Sequence, residues 1–119
     1  MKTLVIGAST NPGRISNQLI HRLRNHKRKV YAMGRTNGAI ADVPIKTTWP
    51  DNEDIHTVSI YISPRWQTQE WENNLLAVQP KRVIFNPGTE NFELAEKLKD
   101  EGIEVLNACT LVMISTGQY

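Results

Sequence analysis

The sequence predicts an α/β fold: a Rossmann-like, doubly wound and mainly parallel sheet with helices on both faces. Three observations carry this. Short apolar runs alternate with amphipathic stretches along the whole chain, as they do in βαβ units. Runs such as "LVI" at 4–6 and "RVIF" at 82–85 are nearly continuous rather than alternating, the pattern of strands buried on both faces. Each apolar run also ends at a glycine, proline or polar turn, where such folds place their ligand loops. With 119 residues the chain suits a single domain spanning 1–119.

The elements follow in order. Lys2 to Ile6 reads as a strand closed by Gly7. Leu19, Ile20 and Leu23 recur at helical spacing and predict a helix from Ser16 to about His26. "KVYAM" at 29–33 is a second strand ended by Gly34. "GRTNGAIADVP" reads as loop with Asn37-Gly38 as its turn signal. "IKTT" at 45–48 is a short third strand, and "TVSIYI" at 57–62 a fourth, stopped by Ser63-Pro64. "RWQTQEWENNLLAV" at 65–78 predicts one helix, with Pro64 near its first turn. "RVIF" at 82–85 is a fifth strand. "NFELAEKLKDEG" at 91–102 is a helix stopped by Gly102. "IEVL" at 103–106 is a sixth strand, and "CTLVMIS" at 109–115 a last short helix.

Composition narrows the function classes. The net charge is +2, too small to argue for nucleic acid. The basic run "HRLRNHKRK" at 21–29 reads as a solvated helix end that complements the dipole. No apolar run approaches the ~20 residues of a membrane span. The single cysteine, Cys109, rules out an internal disulfide and fits a reducing, cytoplasmic setting. Beside "LVMI" it reads as a small buried hydrophobe.

The loop "GASTNPGRIS" at 7–16 carries the chemistry. A helix start offers unpaired N–H groups and partial positive charge to an anion. Ser9, Thr10 and Ser16 add hydroxyl donors, and Arg14 a charged fork. Gly7 and Gly13 let backbone approach a ligand closely. The loop is neither G-x-G-x-x-G nor a Walker loop. Read alone, it fits a phosphate seat and an ordinary strand–helix turn equally.

"GASTNPGRIS", "NPGTEN" and "EGIEVLNACTLVM" together resemble the CoA-binding domain family, small Rossmann-like domains similar to the N-terminal domain of the succinyl-CoA synthetase α subunit. The resemblance covers nearly the whole chain. It implies binding of CoA or acyl-CoA, with Gly7, Ala8, Ser9, Thr10, Gly13, Arg14, Ile15 and Ser16 around the pyrophosphate. It places Gly34 and Arg35, within Met33 to Thr36, beside the adenosine and its 3′-phosphate. It sets Ile62, Ser63 and Pro64 against the adenine, and Asn86, Pro87 and Gly88 toward the pantetheine. This chain departs from the family in "MGRTNG", where members often carry a V-N-P-like turn.

No carboxylate pair, metal-spaced His/Cys cluster or Ser-His-Asp set falls in one predicted site. His21, His26 and His56 read as structural, and Glu90 and Glu93 as helix-dipole partners. Trp71, at helical spacing from Leu75, reads as core, and Trp66 lies nearer the cleft. The sequence thus predicts a small-molecule binding module, more a binder than an enzyme, with no nucleic-acid or membrane partner. Homo-oligomerisation stays open. Two rivals remain: an NAD(P)-binding redox sensor or enzyme subunit, and a scaffold with an empty cleft. An NAD enzyme would place an acidic residue after the second strand. Gly34-Arg35 stands there instead, and arginine suits a ribose phosphate.

Overall fold

The computed structural model describes residues 1–119. Seven strands form one sheet in the order β3-β4-β2-β1-β5-β6-β7. They are β1 (Lys2–Ile6), β2 (Lys29–Met33), β3 (Gly38–Ile40), β4 (Val43–Lys46), β5 (Ile55–Ile60), β6 (Arg82–Phe85) and β7 (Glu104–Asn107). Four helices are α1 (Ile15–Asn25), α2 (Gln69–Val78), α3 (Phe92–Asp100) and α4 (Thr110–Ser115). Every strand pair is parallel except β3 with β4. The doubly wound reading of the sequence therefore describes this chain.

The period of two along the strands divides the core. Leu4 and Ile6 face α2 and α3, where Leu75, Phe85, Leu94 and Leu98 complete one buried cluster. Val5 points the other way, to Leu19, Ile20 and Leu23 of α1 and to Ala32 and Ile45. Each of the first six is fully buried or nearly so. Burying one such side chain is worth roughly 1.5–3 kcal/mol. A helix on each face is the price of a sheet apolar on both.

Two elements differ from the sequence reading. The stretch read as loop contains β3, which turns back at Ala41-Asp42 to pair Ile40 with Val43. Asn37-Gly38 therefore opens β3 instead of forming the turn. Ala41 takes a φ of +53°, an uncommon one for alanine, so no glycine or asparagine marks the turn. The bidentate ion pair from Arg24 to Asp42, at 2.8 and 2.7 Å, ties the turn to α1.

The predicted helix over 65–78 is broken. A turn of 3₁₀ helix spans Pro64–Trp66, and α2 starts only after Thr68, whose hydroxyl accepts the Trp71 N–H. Between them Gln67 is buried. Its Nε2 donates to the carbonyls of Ile62 and Thr89 at 3.1 and 2.9 Å. Those bonds fix the chain between the two helical pieces.

Candidate functional site

The strand order reverses at β1, which leads to β2 on one side and to β5 on the other. Ligand crevices open at such a switch point, beyond the carboxyl ends of the strands. Here a cleft of about 900 Å³ opens there, near the upper end of small-molecule sites.

Two glycines make its floor. Gly7 ends β1 with φ +98°, and a Cβ there would stand 3.1 Å from the Tyr61 Cβ. Gly34 ends β2, and a Cβ there would meet the Ala8 carbonyl oxygen at 2.3 Å. Both Gly7 and Ala8 donate their N–H to the Met33 carbonyl, at 2.9 and 3.0 Å. The first loop thus lies directly on the end of β2.

The first loop holds its own shape. Ser9 Oγ accepts the Asn11 N–H at 3.1 Å, and Asn11 Oδ1 accepts the Gly13 N–H at 2.9 Å. Ser16 Oγ donates to the Gly7 carbonyl at 2.9 Å, and Asn17 Nδ2 donates to the Ser9 carbonyl at 2.8 Å. The Ser16 hydroxyl, expected from sequence to face an anion, is therefore spent inside the loop. What remains at the cleft is backbone. The N-cap of α1 is Arg14, and no side chain caps the helix. The N–H groups of Ile15 and Ser16 make no hydrogen bond within the chain. An uncapped helix start carries orphan donors and partial positive charge.

Charge points the same way. Arg14 and Arg35 line the cleft, and no aspartate or glutamate does. Ion pairs join Lys2 to Glu53, Arg24 to Asp42, Lys97 to Glu72 and Lys99 to Glu96. None of them involves a residue of the cleft wall.

The structure brings most of the sequence candidates together. Gly7, Ala8, Ser9, Thr10, Gly13, Arg14, Ile15 and Ser16 line the cleft from the α1 side, with Gly34, Arg35, Ile62 and Ser63 from β2 and β5. Pro64 does not, although Ser63 and Trp66 on either side of it do. Asn86, Pro87 and Gly88 also lie off the wall. Asn86 is buried, with Nδ2 donating to Ser59 Oγ and to the Ile60 carbonyl, each at 2.9 Å. Its Oδ1 accepts the Thr110 N–H and hydroxyl at 2.9 and 3.0 Å. With every polar atom engaged, this side chain holds elements together and has nothing left for a ligand.

Aromatic side chains complete the wall, Trp66 among them as the sequence suggested. Trp49, Trp66 and Trp71 all line the cleft, and they are the chain's three tryptophans. Trp71 was expected in the core. It does pack against the α2–α3 cluster, and it also meets Trp49 edge to face, centroids 5.8 Å apart. The amphipathic spacing that marks a core helix cannot show that its first turn borders a crevice.

Fold and site together define a doubly wound domain with an open cleft at its switch point, lined by two arginines and no carboxylate. The chain matches the model of the CoA binding domain over residues 1–115, and it belongs to that family. A crystal structure of an uncharacterized protein is 42% identical with a TM-score of 0.93, covering 99% of this chain and 97% of that one. A hypothetical protein from Pyrococcus horikoshii OT3 is 23% identical with a TM-score of 0.79, over 90% of this chain and 76% of that one. A dinucleotide-forming acetyl-coenzyme A synthetase from Ca. Korarchaeum cryptofilum, in complex with phosphate and ADP, is 19% identical with a TM-score of 0.73. That match covers 90% of this chain and 25% of the synthetase. No curated protein matches the chain. No helix is long and apolar enough to cross a membrane.

Proposed function

We propose that residues 1–119 form one binding unit that holds CoA or acyl-CoA without catalysis of its own. The observation that carries this is the uncapped start of α1, with Arg14 beside it, in a cleft without a carboxylate. Family membership supports CoA as the class of ligand. In this reading the pyrophosphate lies on the free N–H groups of Ile15 and Ser16, with the Arg14 guanidinium and the Ser9 and Thr10 hydroxyls around it. Gly7 and Gly13 leave room for it. The adenosine runs over Gly34 toward Arg35, Ile62 and Ser63. The turn after β6 contributes through the exposed Pro87 and Gly88, because Asn86 is fully engaged.

Calorimetric titration of CoA into the protein and its Arg14→Ala variant tests the reading. A charge-assisted contact to a phosphate is worth roughly 1.5–3 kcal/mol. The variant should therefore bind CoA roughly ten- to a hundredfold more weakly. Unchanged affinity would remove Arg14 from the site, and no CoA binding by the unmodified protein would end the proposal.

A further inference from the structure

We propose that Asn37 is a site of spontaneous deamidation, and that the carboxylate formed there weakens the hold of the cleft on an anionic ligand. The weakened hold rests on the reading of the cleft as an anion site, and the deamidation does not.

Asn37-Gly38 is a turn signal that the fold does not use as a turn. Gly38 has a packing reason to be glycine, because a Cβ there would stand 2.8 Å from the Thr10 Cγ2. The same missing side chain leaves its backbone nitrogen open to the side chain before it. Among the asparagines of the chain, only Asn37 precedes a glycine. Both residues are exposed, and no hydrogen bond holds the Asn37 amide. Gly38 begins β3, a strand of 3 residues at the edge of the sheet, where pairing opens most readily. From the open state the Gly38 nitrogen attacks the Asn37 Cγ. A new C–N bond forms, the bond from Cγ to Nδ2 breaks, and the Gly38 proton leaves with Nδ2 as ammonia. The product is a five-membered imide. Water adds to either imide carbonyl and reopens the ring. Addition at Cγ gives aspartate. Addition at the backbone carbonyl gives isoaspartate, whose main chain is one methylene longer.

Either product puts a carboxylate beside a cleft that has none. Arg35 and Thr36, just before Asn37, line that cleft, and so does Thr10 against Gly38. Arg14 and Arg35 are its only charged side chains, and Arg35 has no ion-pair partner. A carboxylate two residues away competes with the ligand for that guanidinium and repels the ligand's own negative charge. Isoaspartate adds a second effect, because its longer main chain disturbs the pairing of β3 with β4 and the Gly38–Thr10 contact with it.

Ageing the purified protein in warm, mildly alkaline buffer, with peptide mass analysis, tests the site. The peptide that holds Asn37 should gain about 1 Da and split into aspartate and isoaspartate forms, ahead of every other asparagine. Asn37→Gln, which needs a less favourable six-membered ring, should stay unchanged at that position. CoA titration then tests the consequence. Aged protein should bind CoA roughly two- to fivefold more weakly than fresh protein, and Asn37→Gln aged beside it should keep its affinity. Asn37→Asp carries the charge on an ordinary backbone. It should show part of the loss, and that part should fade at about 1 M salt, where the screening length is about 3 Å. An Asn37 that survives ageing intact overturns the site. Deamidation there with CoA affinity unchanged overturns the weakened hold. Fresh protein that binds no CoA refutes the reading of the cleft and the weakened hold together, while the mass gain still decides the site.

Discussion

Tyr61, just past the end of β5, shows how one side chain serves both core and cleft. It lines the cleft, yet its ring packs into the α1-side cluster and its hydroxyl is buried without a hydrogen-bond partner. Burial disfavours the phenolate and pushes the pKa up to about 12, with the Ser59 and Thr110 hydroxyls offsetting part of the shift. Below about 10, the ordinary tyrosine value, both folded and unfolded chains keep the proton and Tyr61 adds no pH dependence. Between about 10 and about 12 the unfolded chain releases it first, so rising pH favours unfolding. Tyr119 is raised in the same direction, again by burial first. Tyr61→Phe should thus be neutral or slightly stabilising at pH 7, since it removes an unpartnered hydroxyl. It should also shrink the alkaline loss, by about 1–1.5 kcal/mol at pH 11, halfway through the titration window. Urea unfolding at pH 7 and pH 11 measures both, and a loss that stays the same in the variant refutes the account. At this scale the sequence was legible where backbone sets the function. Gly7, Arg14 and Gly34 stand where a strand–turn–helix rule puts them. It was not legible where a side chain's partner comes from far along the chain. Asn86 meets Thr110 through folding that no local pattern encodes, whereas Ser16 turns inward to Gly7 within the loop itself, a choice of rotamer that residue type does not show.

Between elements, Asn86 is the chief polar joint. It links β5 through Ser59 and Ile60, β6 through its own position, and α4 through Thr110. Ser59 and Thr110 also bond each other at 2.9 Å, so the joint is a closed and buried network. Removing its centre leaves several buried groups without partners, at about 1–3 kcal/mol for an unsatisfied group. Asn86→Ala should lower stability by roughly 2–4 kcal/mol, yet leave CoA affinity of the folded protein within a factor of two or so. Urea unfolding beside calorimetry separates the two effects, and a large loss of affinity with stability intact would return Asn86 to the binding site. The elements themselves were mostly readable from hydrophobic period and turn residues. Two failed for stated reasons. The β3–β4 hairpin turns on an alanine of positive φ, held by the Arg24–Asp42 pair, and the helix after β5 is cut by the Gln67 side chain bonding to two distant carbonyls. Both are tertiary contacts overriding local preference.

Across the whole molecule, stability and binding meet in one place. The sheet separates two apolar clusters, and the cleft lies where the loops of β1, β2, β4 and β5 come together above them. The ordered loop and the two glycine contacts mean that the site is formed before ligand arrives. A ligand then loses little affinity to reorganisation of the protein, and its binding free energy passes almost wholly into stability of the folded state. At a concentration ~100 times its dissociation constant a ligand adds about 2.7 kcal/mol. For a chain of this size that is roughly 8–16 °C in melting temperature. All three tryptophans line the cleft, so their emission should change in the same titration, with the same midpoint. A panel of CoA, acetyl-CoA, NADP, NAD and ATP, read by melting and by tryptophan emission, tests this. CoA or acetyl-CoA should give the largest shift, and NAD little, because the turn after β2 carries Arg35 where a ribose-binding carboxylate would stand. A shift for ATP equal to that for CoA would show a site that reads only the shared adenosine and phosphates. A melting shift without any change in tryptophan emission would place the ligand outside this cleft.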